Sequence, residues 1–183
     1  MSQLLLLAEQ LEVSERTLRR AANDGLIDVE RTGTRSMKIS PAEEIYVLRS
    51  WPLLGSLRKL LRTERNVGLA VLFGSRARGD DRPDSDIDIL VSLRESGVLA
   101  MASLTRRLEE ALAWPVQLVA LEAAARAPML LADALEEGRV LVDRDGEWEQ
   151  LQRRSSAIGD LALREDIALR RRAAAAIAGL AEA

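Results

Sequence analysis

Apolar positions along the chain alternate between helical and strand-like spacing. Leu4, Leu7, Ala8 and Leu11 recur at helical intervals and predict a short opening helix. Glu12-Val13 interrupts it, and Ser14 is a good N-cap for a second helix that carries Arg16, Arg19 and Arg20 and ends at Asn23-Asp24-Gly25. Leu26 to Glu30 and Ser36 to Ile39 read as two short strands around Arg31-Thr32-Gly33-Thr34-Arg35. Ser40-Pro41-Ala42-Glu43 combines an N-cap serine, a first-turn proline and the glutamate of a capping box. That helix runs toward Ser50, where Trp51-Pro52 is expected to kink or break it. A following helix, Pro52 to Thr63, places Leu53, Leu54, Leu57, Leu60 and Leu61 on one face. From Val67 the texture changes. Val67 to Phe73, Ile87 to Leu93, Val116 to Ala120 and Val140 to Val142 are strand-like. Gly97 to Ala113 is helical, with Leu99, Leu104, Leu108 and Leu112 inward. After Gly146 a helical tail is expected, broken at Gly159 and ending in the alanine-rich stretch Ala173 to Ala183.

Composition narrows the chemistry. The chain has 183 residues, 48% hydrophobic and 30% charged, enough for a buried core and too apolar for wholesale disorder. Aromatics make up 3%, so the core is built from Leu, Ala, Val and Ile. There is no Cys and no His, which excludes disulfides, thiolate nucleophiles, an imidazole base and Cys- or His-ligated metals. Any metal must be a hard cation held by oxygen. The longest early apolar run, Leu4 to Ala8, is too short to span a bilayer and lacks the flanks of a signal peptide, so no membrane association and a cytoplasmic location are expected. The net charge of −3 means that nucleic-acid contact would need a local basic patch.

The informative stretch runs from Leu72 to Val91. In a strand that contains Ile87 and Ile89, Asp86 and Asp88 share one face and repel each other, a repulsion that a divalent cation converts into binding. Upstream, Gly74 and Ser75 follow a buried strand. Glycine allows close backbone approach, and the hydroxyl and nearby N–H groups suit phosphate oxygens, with Arg76 and Arg78 adding positive charge. One loop thus offers anion holders at one end and cation holders at the other.

This Gly-Ser, ten-residue spacer, Asp-Ile-Asp-Ile pattern resembles the DNA polymerase β-type nucleotidyltransferase superfamily, and Gly-Ser-x-Ala-Arg-Gly with Ser-Asp-x-Asp is similar to the minimal, antitoxin-like nucleotidyltransferases of prokaryotes. The resemblance covers about Val67 to Val142. It implies an α+β fold with a small mixed β-sheet, and transfer of a nucleoside monophosphate from an NTP with two Mg²⁺ ions. On that mapping Gly74 and Ser75 hold the terminal phosphates, Arg76 or Arg78 stabilises the phosphate chain, and Asp86 and Asp88 are the catalytic, metal-binding carboxylates. A third carboxylate of the family pattern falls at Gln117, within Val116-Gln117-Leu118-Val119. An amide cannot accept a proton, and loss of a general base costs on the order of 10²–10⁴-fold in rate. Glu122 follows shortly after, with nothing in the sequence to position it.

The first forty residues resemble a small winged helix-turn-helix, which implies DNA contact through Arg16, Arg19, Arg20, Arg31 and Arg35; the alternative is a helical hairpin whose arginines form a solvated face. The expected organisation is therefore a winged helix-turn-helix at 1–40, connecting helices at 41–64, a nucleotidyltransferase domain at 65–145 and a helical tail at 146–183. Trp148, Leu151, Ile158 and Leu161 in the tail either pack on their own domain or form a docking face. The expected partners are an NTP, a DNA operator, and a partner toxin or other protein acceptor. Two functions compete: an enzyme that modifies a protein, RNA or small-molecule hydroxyl, as in an antitoxin, and a DNA-binding regulator whose degenerate transferase domain senses a nucleotide or grips a partner.

Overall fold

The computed structural model describes residues 3–31, 33 and 36–181. Arg35 lies outside the described residues. Helices α1 (Gln3–Gln10) and α2 (Glu15–Asn23) are joined by a turn in which Glu12 takes a positive φ of 55°. The Ser14 hydroxyl accepts from the Thr17 N–H, capping α2 as expected. The paired strands β1 (Glu30–Arg31) and β2 (Met37–Lys38) are shorter than the sequence suggested. The reason lies in Leu26 and Ile27, consecutive residues that are both buried and so cannot belong to a strand with one solvent face. They join Leu4, Leu7, Leu18 and Ala21 in the core instead.

Helix α3 (Pro41–Thr63) is continuous, correcting the break expected at Trp51-Pro52. Pro52 sits on the exposed side of the helix, and Leu48, whose carbonyl loses its N–H partner to the proline, is exposed as well. The opposite face buries Tyr46, Val47, Leu54, Leu57 and Leu61, and this packing spans the proline. Ser40 caps the helix through the Glu43 N–H at 3.1 Å, but the Glu43 carboxylate does not return to close a capping box. It accepts from the Asp28 N–H and pairs with Arg139.

Next come β3 (Val67–Phe73), a short helix α4 (Ser75–Arg78), β4 (Ile87–Leu93), α5 (Val98–Leu112) and β5 (Val116–Ala120). Helices α6 (Leu121–Ala124) and α7 (Pro128–Glu137), absent from the sequence expectation, lead to β6 (Arg139–Asp143). The sheet has the order β5-β4-β3-β6, with β3 antiparallel to β4 and β6 and with β4 parallel to β5. It is a mixed sheet in an α+β fold. Both its faces are covered, which explains why β3 is apolar throughout. One face, with Ala70, Leu72, Ile87, Ile89 and Val91, packs with α3, α5 and the N-terminal helices. The other, with Leu69, Val71, Phe73 and Leu90, packs under α7 and the tail. Leu99 is 87% exposed, not inward, because it lies about 140–180° around α5 from the Leu104–Leu108 stripe.

The tail divides into α8 (Glu147–Gln152) and α9 (Ser155–Ala181). The interruption falls at Arg153-Arg154, and α9 runs straight through Gly159, where a glycine costs about 1 kcal/mol that a long helix absorbs. Trp148, Leu151 and Ile158 pack on the second core, whereas Leu161 is half exposed. No helix among the described residues is long and apolar enough to cross a membrane.

The N-terminal elements are joined to the sheet by more than covalent linkage. The Val140 N–H donates to the Gly25 carbonyl at 3.0 Å, so a loop backbone pairs with the outer strand β6. Gly25 has φ +80°, and a Cβ there would meet Val140 Cγ2 at 3.1 Å.

Candidate functional site

The site is built at the end of β3. Phe73 pairs with Asp88 across the sheet, and the chain then turns sharply at Gly74, whose φ of 74° and ψ of −160° suit glycine alone. A Cβ on Gly74 would stand 2.6 Å from Asp88 Oδ2, so the glycine also gives that carboxylate its room. The Gly74 carbonyl accepts from the Ala77 and Arg78 N–H groups, closing α4 into one tight turn. Gly79 ends it with φ +85°, against the Tyr46 ring. The Tyr46 hydroxyl donates to the Arg76 carbonyl at 3.1 Å, fixing the turn onto α3.

Arg76 is engaged by the spacer loop. Its guanidinium donates to the Ser85 carbonyl (2.7 and 3.0 Å) and the Asp86 carbonyl (3.2 Å), pairs with Asp81 at 3.4 Å, and stacks 4.5 Å from the centre of the Trp114 ring. Trp114 Nε1 donates to the same Ser85 carbonyl at 2.8 Å. These contacts clamp the spacer loop, so the entry to β4, and Asp86 with it, is held by Arg76. Ser75 is half-buried beside Gly74, and its carbonyl accepts from the Gly79 and Asp80 N–H groups.

Asp88 alternates with the buried Ile87 and Ile89, so it emerges on the α7 side of the sheet. Asp86 is exposed and Asp88 half-buried. Burial, and then the Asp86 charge, push the Asp88 carboxyl above the ordinary aspartate value, with Arg78 pulling the other way. Neither carboxylate forms a hydrogen bond or ion pair with another described residue. In the parallel register Gln117 lies beside Asp88 on the neighbouring strand and is exposed. Glu122 is exposed in the first turn of α6.

Glu137, the last residue of α7, is the site residue that sequence reasoning missed. Its Oε1 accepts from the Gly74 N–H at 2.7 Å and its Oε2 from Arg78 Nη1 at 2.7 Å. Within Leu135-Glu136-Glu137-Gly138 no local signal separates it from Glu136. Arg78 also pairs with Asp80 at 3.2 Å, and these two carboxylates, Glu137 first, raise its pKa above the usual arginine value. One turn back on α7, burial and then Glu137 push the Asp133 carboxyl upward.

Among the described residues no three acidic side chains gather as a ready-made cation site. Two carboxylates without a hydrogen-bond or ion-pair partner among the described residues still fit Mg²⁺, which keeps several waters and is commonly bound by one or two carboxylates together with substrate phosphates. Asp86 and Asp88 are the residues that would hold it.

The Arg16, Arg20 and Arg31 side chains are exposed on the N-terminal elements. Arg19 is partly buried and pairs with Glu15 at 2.7 Å, and Arg31 donates to Asn23 at 3.1 Å.

Among curated proteins none matches the chain. Among solved structures, a chain of a toxin–antitoxin crystallised with AMP-PNP is 26% identical, with a TM-score of 0.55 over 66% of this chain and 97% of that one. A chain of a mutant MntA–HepT toxin–antitoxin, with a tyrosine replaced by alanine, is also 26% identical, with a TM-score of 0.51 over 65% and 96%. A chain from a complex of a tri-AMPylated Shewanella oneidensis HEPN toxin with its MNT antitoxin shares the fold at 24% identity and a TM-score of 0.52, covering 68% and 98%. Residues 56–147, half of the chain, match the family described as polymerase beta, nucleotidyltransferase. By that match, and by the sheet that carries Gly74 and Asp88, the chain belongs to the polymerase beta nucleotidyltransferase family.

Proposed function

We propose that the protein binds a nucleoside triphosphate with Mg²⁺ at the Gly74–Arg78 loop and the Asp86–Asp88 pair, and transfers a nucleoside monophosphate to a hydroxyl of a partner toxin. The observation that carries this reading is the pair of carboxylates, free of hydrogen bonds and ion pairs among the described residues, beside a glycine turn that is shaped around one of them. Gly74 and Ser75 would hold the end of the phosphate chain, with Arg78 as its cation. Arg76, committed to the Ser85 and Asp86 carbonyls, serves by positioning the loop. Mg²⁺ held by Asp86 and Asp88 would neutralise charge on the phosphates and on the attacking oxygen. The AMP-PNP in a similar toxin–antitoxin structure favours ATP as the nucleotide.

A second reading has its own observation. Gln117 stands beside Asp88 where a third carboxylate would act as base, and Arg16, Arg20 and Arg31 are exposed on a helix-turn-helix-like module. On this reading the transferase domain senses a nucleotide, and the N-terminal arginines grip an operator through a salt-sensitive phosphate contact. Transfer of label from α-³²P-ATP with Mg²⁺ to a purified partner protein separates the two. Labelling by the wild type, lost in Asp86→Ala and increased roughly tenfold or more in Gln117→Asp, supports the transferase. Silence from wild type with labelling by Gln117→Asp favours the sensor, and silence from both overturns transfer.

A further inference from the structure

Two of the groups that the loop offers to an anion are already taken. The Gly74 N–H and Arg78 Nη1 each donate to one oxygen of Glu137, both at 2.7 Å. A carboxylate that bridges a backbone N–H and a guanidinium with one negative charge reproduces what two oxygens of a phosphate group would do there. Its own helix does not favour that position. Glu137 sits at the negative, C-terminal end of α7, immediately after Glu136 and one turn beyond Asp133. The Asp88 carboxylate also lies against Gly74, near enough for the Glu137 charge to act on it. Like charges are therefore crowded around Glu137, and the Gly74 N–H and Arg78 are what hold it in place.

We propose that Glu137 is a resident stand-in for the terminal phosphate of the nucleotide, and that it sets which phosphate chains the site accepts. The inference rests on the reading of the site as a triphosphate site. Arg78 can hold two anions at once, as it holds Asp80 and Glu137, but the Gly74 N–H is a single donor that Glu137 occupies, so a ligand must displace Glu137 to be held by that N–H and Arg78 together. A triphosphate whose last group reaches Gly74 can compete. A monophosphate has nothing at that position, and its binding is indifferent to Glu137.

The test is calorimetric titration of the full chain with ATP, AMP and tripolyphosphate, each with Mg²⁺, comparing wild type with Glu137→Gln and Glu137→Ala. Glutamine keeps the size but replaces one acceptor with a donor and removes the charge. Both variants should bind ATP and tripolyphosphate more tightly by about tenfold or more, tenfold corresponding to release of one of the two charge-assisted hydrogen bonds to the resident anion, with AMP unchanged. Unchanged or weaker ATP binding in the variants, with wild type still binding ATP, overturns the role of Glu137 and leaves the triphosphate site standing. Tighter tripolyphosphate without ATP binding keeps the anion exchange and removes the nucleotide. No binding to any of the three proteins overturns both. A measurement on the wild type alone guards against misfolded variants: tripolyphosphate should shift the Gly74 amide signal and the Glu137 carboxyl carbon signal together, and a Gly74 shift with Glu137 unmoved refutes displacement.

Discussion

Replacing Arg139 with alanine tests the idea that a buried ion pair joins the N-terminal elements to the phosphate loop. The Arg139 guanidinium meets the Glu43 carboxylate at 2.5 and 2.9 Å, donates to the Ala77 carbonyl at 2.8 Å and the Leu26 carbonyl at 3.4 Å, and stacks 3.7 Å from the centre of the Tyr46 ring. The two side chains are 13% and 8% exposed, so water screens the pair little. Removing the guanidinium leaves Glu43 with the Asp28 N–H as its remaining partner and deprives the Ala77 carbonyl of a side-chain donor. Stranding one partner of a buried pair costs about 3–5 kcal/mol. That is a large part of the roughly 5–15 kcal/mol that stabilises an ordinary domain. Urea unfolding of Arg139→Ala, Glu43→Ala and the double variant completes a cycle, with an expected coupling of about 2 kcal/mol or more. The double variant should lose much less than the sum of the singles. A loss below about 1 kcal/mol in Arg139→Ala, with coupling near zero, would refute the reasoning.

Two further outcomes follow from the site. Gly74→Ala should lose about 1–3 kcal/mol from its backbone conformation alone, with more from the collision with Asp88, as read from the urea midpoint; a neutral result would mean that the turn can be rebuilt. Asp88→Asn should raise the melting temperature at pH 7. The Asp88 pKa is raised by burial and then by Asp86, so the protonated form is the stabilising one: its contribution is complete below the unfolded value of about 3.9 and is lost as pH rises through the higher folded value. The advantage of asparagine should therefore vanish in melts near pH 3, and a pH-independent difference would contradict the sign. Millimolar Mg²⁺ should stabilise wild type and not this variant.

Legibility in the sequence followed the range of the interactions involved. Val67–Phe73, Ile87–Leu93 and Val116–Ala120 were readable to the residue, because short apolar runs that follow Asn66, Asp86 and Pro115 are local signals. Gln117 was pointed to only by the family resemblance, and its place beside Asp88 is set by the parallel pairing of β4 with β5. Pro52 misled because its exposure depends on what the rest of α3 buries. Leu99 misled because the stripe that faces the core is set by Leu104 and Leu108. Glu137 could not be read at all. Its role is defined by Gly74, 63 residues away, and no spacing rule links a helix end to a turn at that distance.

The family match begins at residue 56, in the middle of α3. The half of the helix that precedes it supplies Glu43 to Arg139, Tyr46 to the Arg76 carbonyl and Arg49 to Asp81, the last at 2.5 Å. A fragment cut at the border of the family pattern would thus keep every motif residue and lose the scaffold that shapes them. Exchanging the first forty residues for another module is a different operation from trimming to the family border. The first leaves this half-helix in place, and the second removes the mould in which the glycine turn is cast.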